Sequence, residues 1–208
     1  MKIIDYEKWD RKDTFEHFYH IAKSTYSITV KIDVTKVIEF LKRSDLKFYS
    51  VMTWIVSKAI NQHDQFKMGF NHDGKLGVYE TVHPQFPVMD SNFNVVSLMT
   101  EYCDELVTFC NEMNHVTDAF LLNGTIPELK ENMIMISSLP WLHYENFTVN
   151  NESGLHFLFP MVTWGKYELE NDVYKMPLTI QVSHAAADGY HCHLFYESVE
   201  KIISEELI

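Results

Sequence analysis

The sequence predicts an α/β fold in which a mixed β-sheet packs against helices in two layers. Segments with the alternating, β-branched pattern of strands recur along the chain, and segments with the apolar spacing of helices lie between them. The two kinds of segment do not alternate regularly, which favours a mixed sheet over a purely parallel one. Because 208 residues are enough for one hydrophobic core, we expect a single domain over residues 1–208.

The first third of the chain predicts a helix, a strand and two further helices. Aromatic residues recur on one helical face from Arg11 to Lys23, and Asp13 lies in the first turn, where a negative charge is favourable. The next segment, Tyr26 to Val34, alternates apolar and polar residues, which is typical of a half-buried strand. Helical spacing returns from Val37 to Leu41 and from Val51 to Ile60, so both segments are predicted helices.

Turn residues divide the middle of the chain. The sequence His72-Asp-Gly-Lys separates two apolar runs, so Phe66–Phe70 and Leu76–Tyr79 are predicted to form a hairpin. The other predicted elements are an extended segment from His83 to Phe86, a helix from Asp104 to Met113, strands at Met133–Ser137, Leu155–Thr163 and Leu178–Val182, and a closing helix from His193 to Ile203.

Charge and composition exclude two classes of partner. The formal net charge is -12, and no run of Lys or Arg forms a footprint for nucleic acid. No segment approaches the roughly 20 apolar residues that span a bilayer, so we expect no membrane association. The N-terminus becomes charged within a few residues and lacks the apolar core of a signal peptide. The three cysteines lack CxxC spacing, which fits a reducing compartment, and we expect a cytoplasmic protein.

The most informative segment is an apolar strand that ends in His184, followed by three alanines, Asp188 and Gly189. Histidine suits the removal of a proton from a hydroxyl or thiol, and a strand end exposes it. Asp188 is expected either to orient this base or to hold the turn through a salt bridge to an arginine. Gly189 is expected to permit a backbone conformation that other residues adopt only with strain.

Two other interpretations of nearby residues fail on spacing. His191, Cys192 and His193 suggest a metal site together with His184, but adjacent helix positions point to different faces, so we expect no metal. Ser137 and Ser138 lack the surrounding G-x-S-x-G pattern of a serine hydrolase.

The stretch from His184 to Gly189 resembles the HxxxDG active-site signature of the chloramphenicol acetyltransferases. Condensation domains, plant acyltransferases and dihydrolipoyl acyltransferases share that signature. Further blocks resemble the chloramphenicol acetyltransferases in the same order, so the resemblance covers nearly the whole chain. These blocks are Trp9-Asp-Arg11-Lys, Phe15-Glu, Lys47-Phe-Tyr49, Ser137-Ser-Leu-Pro140-Trp141 and Val162-Thr163-Trp-Gly-Lys166-Tyr167.

The resemblance implies a homotrimer of α/β subunits with a strand extension across the trimer interface. The active sites would lie between subunits, where acetyl-CoA and an alcohol acceptor enter one tunnel from opposite ends. His184 would deprotonate the acceptor hydroxyl for direct attack on the thioester. Ser137 would donate a hydrogen bond to the tetrahedral oxyanion, and Thr163 would position a water near it.

The resemblance also assigns supporting roles. Arg11 and Asp188 would form a structural clamp. Acetyl-CoA would be bound by Lys47, Pro140, Trp141, Lys166 and Tyr167, with the two lysines near its phosphate end. The acceptor pocket would contain Phe18, Tyr26, Val96, Phe147 and Asn151.

Several positions depart from the family pattern. Ser183 replaces the first histidine of a usual pair and Ala187 replaces a usual cysteine, but neither change removes the base. Val96 stands where the family has a pocket phenylalanine, and Asn151 stands where an apolar residue is common. The expected activity is acetyl transfer to a hydroxyl of chloramphenicol, which would confer antibiotic resistance. The alternatives are the same chemistry on another hydroxylated small molecule, or a non-catalytic relative that sequesters a ligand.

Overall fold

The computed structural model describes residues 1–150 and 157–207. The strands are β1 (Lys2–Ile3), β2 (Thr25–Asp33), β3 (Met68–Phe70), β4 (Leu76–Val78), β5 (His83–Met89), β6 (Val95–Met99), β7 (Met133–Leu139), β8 (Met161–Gly165), β9 (Glu168–Glu170) and β10 (Val173–Ser183). The α-helices are α1 (Lys12–Glu16), α2 (Thr35–Leu41), α3 (Phe48–Asn61), α4 (Leu106–Asn123) and α5 (Gly189–Glu205). A π-helical turn at His17–Ile21 continues α1.

The larger sheet has the order β2-β10-β8-β7-β5-β6, and β9 pairs with one end of β10. Strand β7 runs parallel to β8 and β5, whereas the other neighbours in the sheet are antiparallel. The predicted mixed sheet is therefore confirmed. A smaller sheet, β1-β4-β3, forms from the predicted hairpin and the N-terminal residues.

The main core lies between one face of the larger sheet and the helices. Leu178, Ile180 and Val182 alternate along β10, and all three are buried in this core. Helix α3 is buried on nearly all sides, which explains why its apolar residues are not confined to one stripe. Helix α5 packs beside α3 through residues such as Phe195 and Val199. Among the described residues, no helix of this core lies on the opposite face of the sheet.

Several predicted boundaries were wrong, including the starts of β10 at Val173 and α5 at Gly189, which lie four or five residues before the predicted starts. The helix predicted to end at Met113 continues to Asn123, because Val116 and Phe120 extend its buried face and Gly124 ends it with a left-handed conformation. The predicted strand from 155 to 163 begins only at Met161, and residues 155 and 156 lie outside the described chain. The predicted first helix changes from α to π geometry at His17.

Of the helices in the described residues, none combines the length and the apolar content that a membrane span requires.

The assignment of β10 to the core predicts that Leu178→Ala lowers the free energy of unfolding by about 2–5 kcal/mol, because the lost side chain leaves a cavity. Leu178 is 0% exposed, whereas Leu122 is 86% exposed and provides the matched control. Leu122→Ala should change stability by less than about 0.5 kcal/mol. Urea unfolding measures both, and equal effects would contradict the placement of Leu178.

Candidate active site

Four hydroxyl side chains form a row across four neighbouring strands. Ser137 on β7 is level with Thr163 on β8, Thr163 with Thr179 on β10, and Thr179 with Thr29 on β2. Their sequence neighbours Ile136, Val162, Leu178 and Ile180 pack into the main core. Because side chains alternate along a strand, the hydroxyl row lies on the face away from the helices.

Thr163 occupies the centre of this row. Its side chain is 1% exposed, and within the described chain its Oγ1 has no hydrogen-bond partner. Buried hydroxyl groups almost always have a partner, so this one is suited to hold a water or a ligand atom. Ser137 is half-buried and lies beside Thr163 on the adjacent strand.

His184 follows the last residue of β10, and its backbone N–H donates to the Ser24 carbonyl at 2.9 Å. The imidazole stacks on the Phe18 ring, with centroids 3.8 Å apart and planes at 21°. The Tyr26 ring meets its edge at 5.1 Å. Two rings thus fix the plane of the imidazole. Its Nδ1 is buried without a hydrogen-bond partner in residues 1–150 and 157–207.

Asp188 connects two basic side chains. Arg11 Nη1 lies 3.1 Å from Asp188 Oδ2, and His191 Nδ1 lies 2.9 Å from Asp188 Oδ1. Burial acts to raise the pKa of Asp188, but the Arg11 hydrogen bond and the nearby His191 outweigh it, so the pKa lies below its ordinary value. Of the two possibilities left open for Asp188, the structure shows the salt bridge to a distant arginine.

Gly189 does not have the role expected from the sequence. Its φ is not positive, and a Cβ built there would meet nothing within 4 Å. Asp188 is the N-cap of α5 and forms a capping box with His191, so the helix start is set by these two side chains. The three alanines between His184 and Asp188 are closely packed, since Ala185, Ala186 and Ala187 are at most 1% exposed.

The residues predicted to bind acetyl-CoA gather at the carboxyl ends of the parallel strands β7 and β8. Pro140 and Trp141 follow β7, whereas Lys166 and Tyr167 follow β8. The Tyr167 ring contacts the Phe48 ring at 5.2 Å, which brings Lys47 to the same place because Lys47 precedes Phe48. Lys47, Trp141 and Lys166 are exposed, so two positive charges and an indole are available to a ligand.

The predicted acceptor residues divide into separate locations. Phe18 and Tyr26 surround His184, whereas the Phe147 ring lies 5.8 Å from Tyr144 beside the hydroxyl row. Val96 packs against the main core, on the sheet face opposite the hydroxyl row. Asn151 lies outside the described residues.

His184 is distant from Ser137 within one copy of the chain. Thr179 is level with Ser137 across two strand spacings, and Ser183 is four residues further along β10. With a rise of about 3.4 Å per residue and a spacing of about 4.8 Å per strand, the Cα atoms of Ser137 and Ser183 are roughly 17 Å apart. His184 also packs towards β2, away from β8. One copy therefore does not bring His184 to its own hydroxyl row.

No group of three or more His, Cys, Asp or Glu side chains suited to a metal ion occurs among the described residues. Cys103, Cys110 and Cys192 carry free thiols.

The family model described as chloramphenicol acetyltransferase matches residues 1–200. The chain belongs to the chloramphenicol acetyltransferase family. It is 31% identical over 205 residues to a chloramphenicol acetyltransferase of Clostridium perfringens, covering 97% of each chain. It is also 32% identical over 206 residues to a chloramphenicol acetyltransferase of Campylobacter coli, covering 97% of this chain and 98% of that relative. The protein is therefore an acyltransferase.

Solved structures show the same fold. A structure named chloramphenicol acetyltransferase superposes with a TM-score of 0.85 at 25% identity, covering 97% of this chain and 99% of the other. A probable dihydrolipoamide acetyltransferase from Listeria monocytogenes superposes with a TM-score of 0.70 at 11% identity, over 95% of this chain and 92% of the other. The second likeness shows the fold alone.

Sequence reasoning missed three residues at or beside this site. His191 was considered only as a metal ligand, although its position three residues after Asp188 is the spacing of a capping box. The other two residues are Tyr144 and Thr179. Thr179 Oγ1 donates a hydrogen bond to the Tyr144 hydroxyl, three residues before Phe147 in the chain. No sequence pattern indicated this contact, because the two residues are 35 positions apart.

The salt bridge predicts that Arg11→Gln lowers the free energy of unfolding by about 1 kcal/mol at pH 7, a value reduced for the partial exposure of both side chains. Because the folded-state pKa of Asp188 is depressed, the stabilisation is present above the ordinary carboxyl pKa and lost as pH falls through the folded pKa. Urea unfolding from pH 8 down to pH 3 should show that the difference in unfolding free energy between the wild type and Arg11→Gln decreases below about pH 4.

Lys8→Gln is the control for this experiment, because Lys8 pairs with Asp5 at the surface and its side chain is 84% exposed. It should leave stability nearly unchanged. If the Arg11→Gln variant is as stable as the wild type at pH 7, the Arg11–Asp188 ion pair does not act as a structural clamp.

Proposed function

We propose that the protein transfers the acetyl group of acetyl-CoA to a hydroxyl of chloramphenicol, at active sites formed between copies of the chain. The observation that carries this proposal is the separation of His184 from the hydroxyl row within one copy. Both parts retain the side chains that the chemistry requires, namely a histidine packed by two rings and a buried Thr163 whose hydroxyl has no hydrogen-bond partner among the described residues, beside Ser137. A second copy is needed to bring these parts together.

The proposed reaction is a direct transfer. His184 takes the proton of the acceptor hydroxyl as its oxygen attacks the thioester carbonyl, which forms a tetrahedral oxyanion. Ser137 Oγ donates a hydrogen bond to that oxyanion, and Thr163 Oγ1 holds a water that stabilises it further. The C–S bond then breaks, and the CoA thiolate takes up the proton from the imidazolium. The products are the acetyl ester and CoA with a free thiol.

A homotrimer with interfacial sites accounts for the open parts of the fold. Strand β2 is one edge of the larger sheet and is nine residues long, so it is available to pair with a strand from another copy. In the part of the chain that the structure describes, no helical layer covers the sheet face with the hydroxyl row. In a cyclic trimer each interface would join unlike surfaces, so one copy would supply His184 and its neighbour Ser137 and Thr163.

Chloramphenicol is the proposed acceptor because both relatives and the solved structure described above are named chloramphenicol acetyltransferases. Val96 favours a second candidate, an acetyltransferase for another hydroxylated small molecule, because it packs into the core instead of facing the hydroxyl row. Sequestering a ligand requires neither a base nor the two hydroxyls, so the presence of all three favours an enzyme over a ligand-sequestering protein.

The reaction is tested by following free CoA with a thiol-reactive dye. Wild-type protein should release CoA from acetyl-CoA only when chloramphenicol is present. His184→Ala should lower kcat by at least about 1000-fold while acetyl-CoA affinity stays within about twofold, because a base is needed for attack and not for donor binding. His193→Ala is the control, since this exposed histidine pairs with Glu197 and meets the Tyr190 ring at the surface.

If CoA is released with another alcohol but not with chloramphenicol, the second candidate function would replace the first. A His184→Ala variant that keeps most of the activity would contradict the assignment of the base.

The interfacial site is tested by complementation. His184→Ala and Ser137→Ala proteins, each nearly inactive, are unfolded, mixed in equal amounts and refolded together. In a cyclic trimer every mixed assembly has one intact site of three, so the mixture should recover about a quarter of wild-type activity. Recovery no greater than that of the separate variants would show that His184 and Ser137 act within one copy.

A further inference from the structure

Residues 140–150, which we call the covering segment, leave the end of β7 and cross the sheet face that carries the hydroxyl row. Nearly every residue of this segment is exposed, and only Tyr144 and Phe147 are half-buried. Trp141 and Leu142 are 66% and 55% exposed. A segment with so little buried apolar surface depends on specific hydrogen bonds for its position.

Hydrogen bonds hold the covering segment at several points, among them Lys166 N–H to the Leu142 carbonyl at 2.8 Å and Ser27 Oγ to Thr148 Oγ1 at 3.1 Å. At its far end, the Gln181 side chain accepts from the Val149 N–H at 2.9 Å and donates to the Val149 carbonyl at 2.8 Å. At its centre, the Tyr144 hydroxyl donates to the Thr163 carbonyl at 2.7 Å and accepts from Thr179 Oγ1 at 3.1 Å. Tyr144 is therefore the contact that joins the segment directly to Thr163.

The Tyr144 hydroxyl belongs to a longer chain of donors. Thr29 Oγ1 lies 2.8 Å from Thr179 Oγ1, so Thr29 can donate to Thr179, Thr179 to Tyr144, and Tyr144 to the Thr163 carbonyl. Such chains strengthen each bond by polarisation. Burial raises the pKa of Tyr144 to about 12, although the Thr179 hydrogen bond lowers it, so the hydroxyl keeps its proton at neutral pH.

The Tyr144 ring fits against β8 because Gly165 leaves room for it. A Cβ at Gly165 would come within 2.7 Å of the Leu142 carbonyl oxygen, 2.8 Å of Pro177 Cγ and 3.0 Å of Tyr144 Cδ1. The covering segment thus packs directly onto the strand that carries Thr163. The same segment carries Pro140 and Trp141 at its start and Phe147 three residues after Tyr144.

We propose that Tyr144 is a positioning residue whose hydroxyl holds Thr163 and the covering segment in the geometry that acetyl transfer requires. This inference rests on the proposed function, because Thr163 matters to the reaction only if it stabilises the tetrahedral oxyanion. Tyr144 acts through Thr163 and need not touch either substrate. A displacement well below 1 Å at Thr163 would misplace its hydroxyl relative to the oxyanion.

A double-mutant cycle tests the inference. Tyr144→Phe should lower kcat by about three- to tenfold, the range expected for one hydrogen bond, with the KM for acetyl-CoA within about twofold. In a Thr163→Val background, the same substitution should lower kcat by less than about twofold, because the group through which Tyr144 acts is already absent. A purely structural role would give additive effects on kcat.

Tyr196→Phe is the matched control. The Tyr196 hydroxyl also donates to sheet carbonyls, those of Ile28 at 2.8 Å and Leu178 at 2.9 Å, but from the helical side of the sheet. Its loss should reduce stability while kcat stays unchanged at temperatures where the protein is folded. An unchanged kcat in Tyr144→Phe, or equal and additive effects of both substitutions, would overturn the inference.

Hydrogen exchange of the substrate-free variants separates this inference from the proposed function. Tyr144→Phe should speed amide exchange in residues 140–149 and Tyr196→Phe should not, whatever acceptor the enzyme uses. Unchanged exchange in Tyr144→Phe would overturn the inference even in an active enzyme. Faster exchange in a protein that turns over no alcohol would instead contradict the proposed function and leave the anchoring contact standing.

Discussion

The pairing of β10 with β2 and β8 is the interaction on which the rest of the structure depends. Its helix-facing residues, Leu178, Ile180 and Val182, complete the main core. Its opposite face contributes Thr179 to the hydroxyl row, and its carboxyl end leads into His184. A shift of one residue in this register would exchange the two faces, so the stability of the core and the placement of the chemical groups are set together.

The same pairing keeps His184 and the hydroxyl row apart. The row crosses the middle of β10, whereas His184 follows its end and turns towards Phe18 and Tyr26. A strand is rigid along its length, so no small rearrangement brings the two together within one copy. We propose that the fold prepares two half-sites, each with its own supporting contacts: Arg11 and Asp188 near His184, and Tyr144 and Thr179 near the hydroxyls. Assembly of copies is the step that would complete the chemistry.

Much of the fold could be predicted because its signals are local. The apolar alternation of β10 and the helical spacing of α3 and α5 depend only on which residues face a core. The HxxxDG stretch was recognisable for the same reason, since its residues are adjacent in sequence. The end of α4 was missed although Val116 and Phe120 continue the buried face, because polar residues on its outer face weaken the periodic signal.

The contacts that join distant segments could not be predicted in the same way. Tyr144 and Thr179 meet only because β8 lies next to β10 and Gly165 leaves space for a ring. The orientation of Val96 depends on the register of β6 against β5, and a one-residue change would turn it to the other face. Gly189 was assigned a special backbone from its residue type alone, whereas the helix start is set by Asp188 and His191.

The most direct test is an experimental structure of the assembled protein with CoA and chloramphenicol bound. We expect the acceptor hydroxyl within hydrogen-bond distance of His184 Nε2 of one copy, and Ser137 and Thr163 of the neighbouring copy in the same cavity. A ligand enclosed by a single copy, or bound with His184 directed away from it, would contradict the assembly of the site from two half-sites.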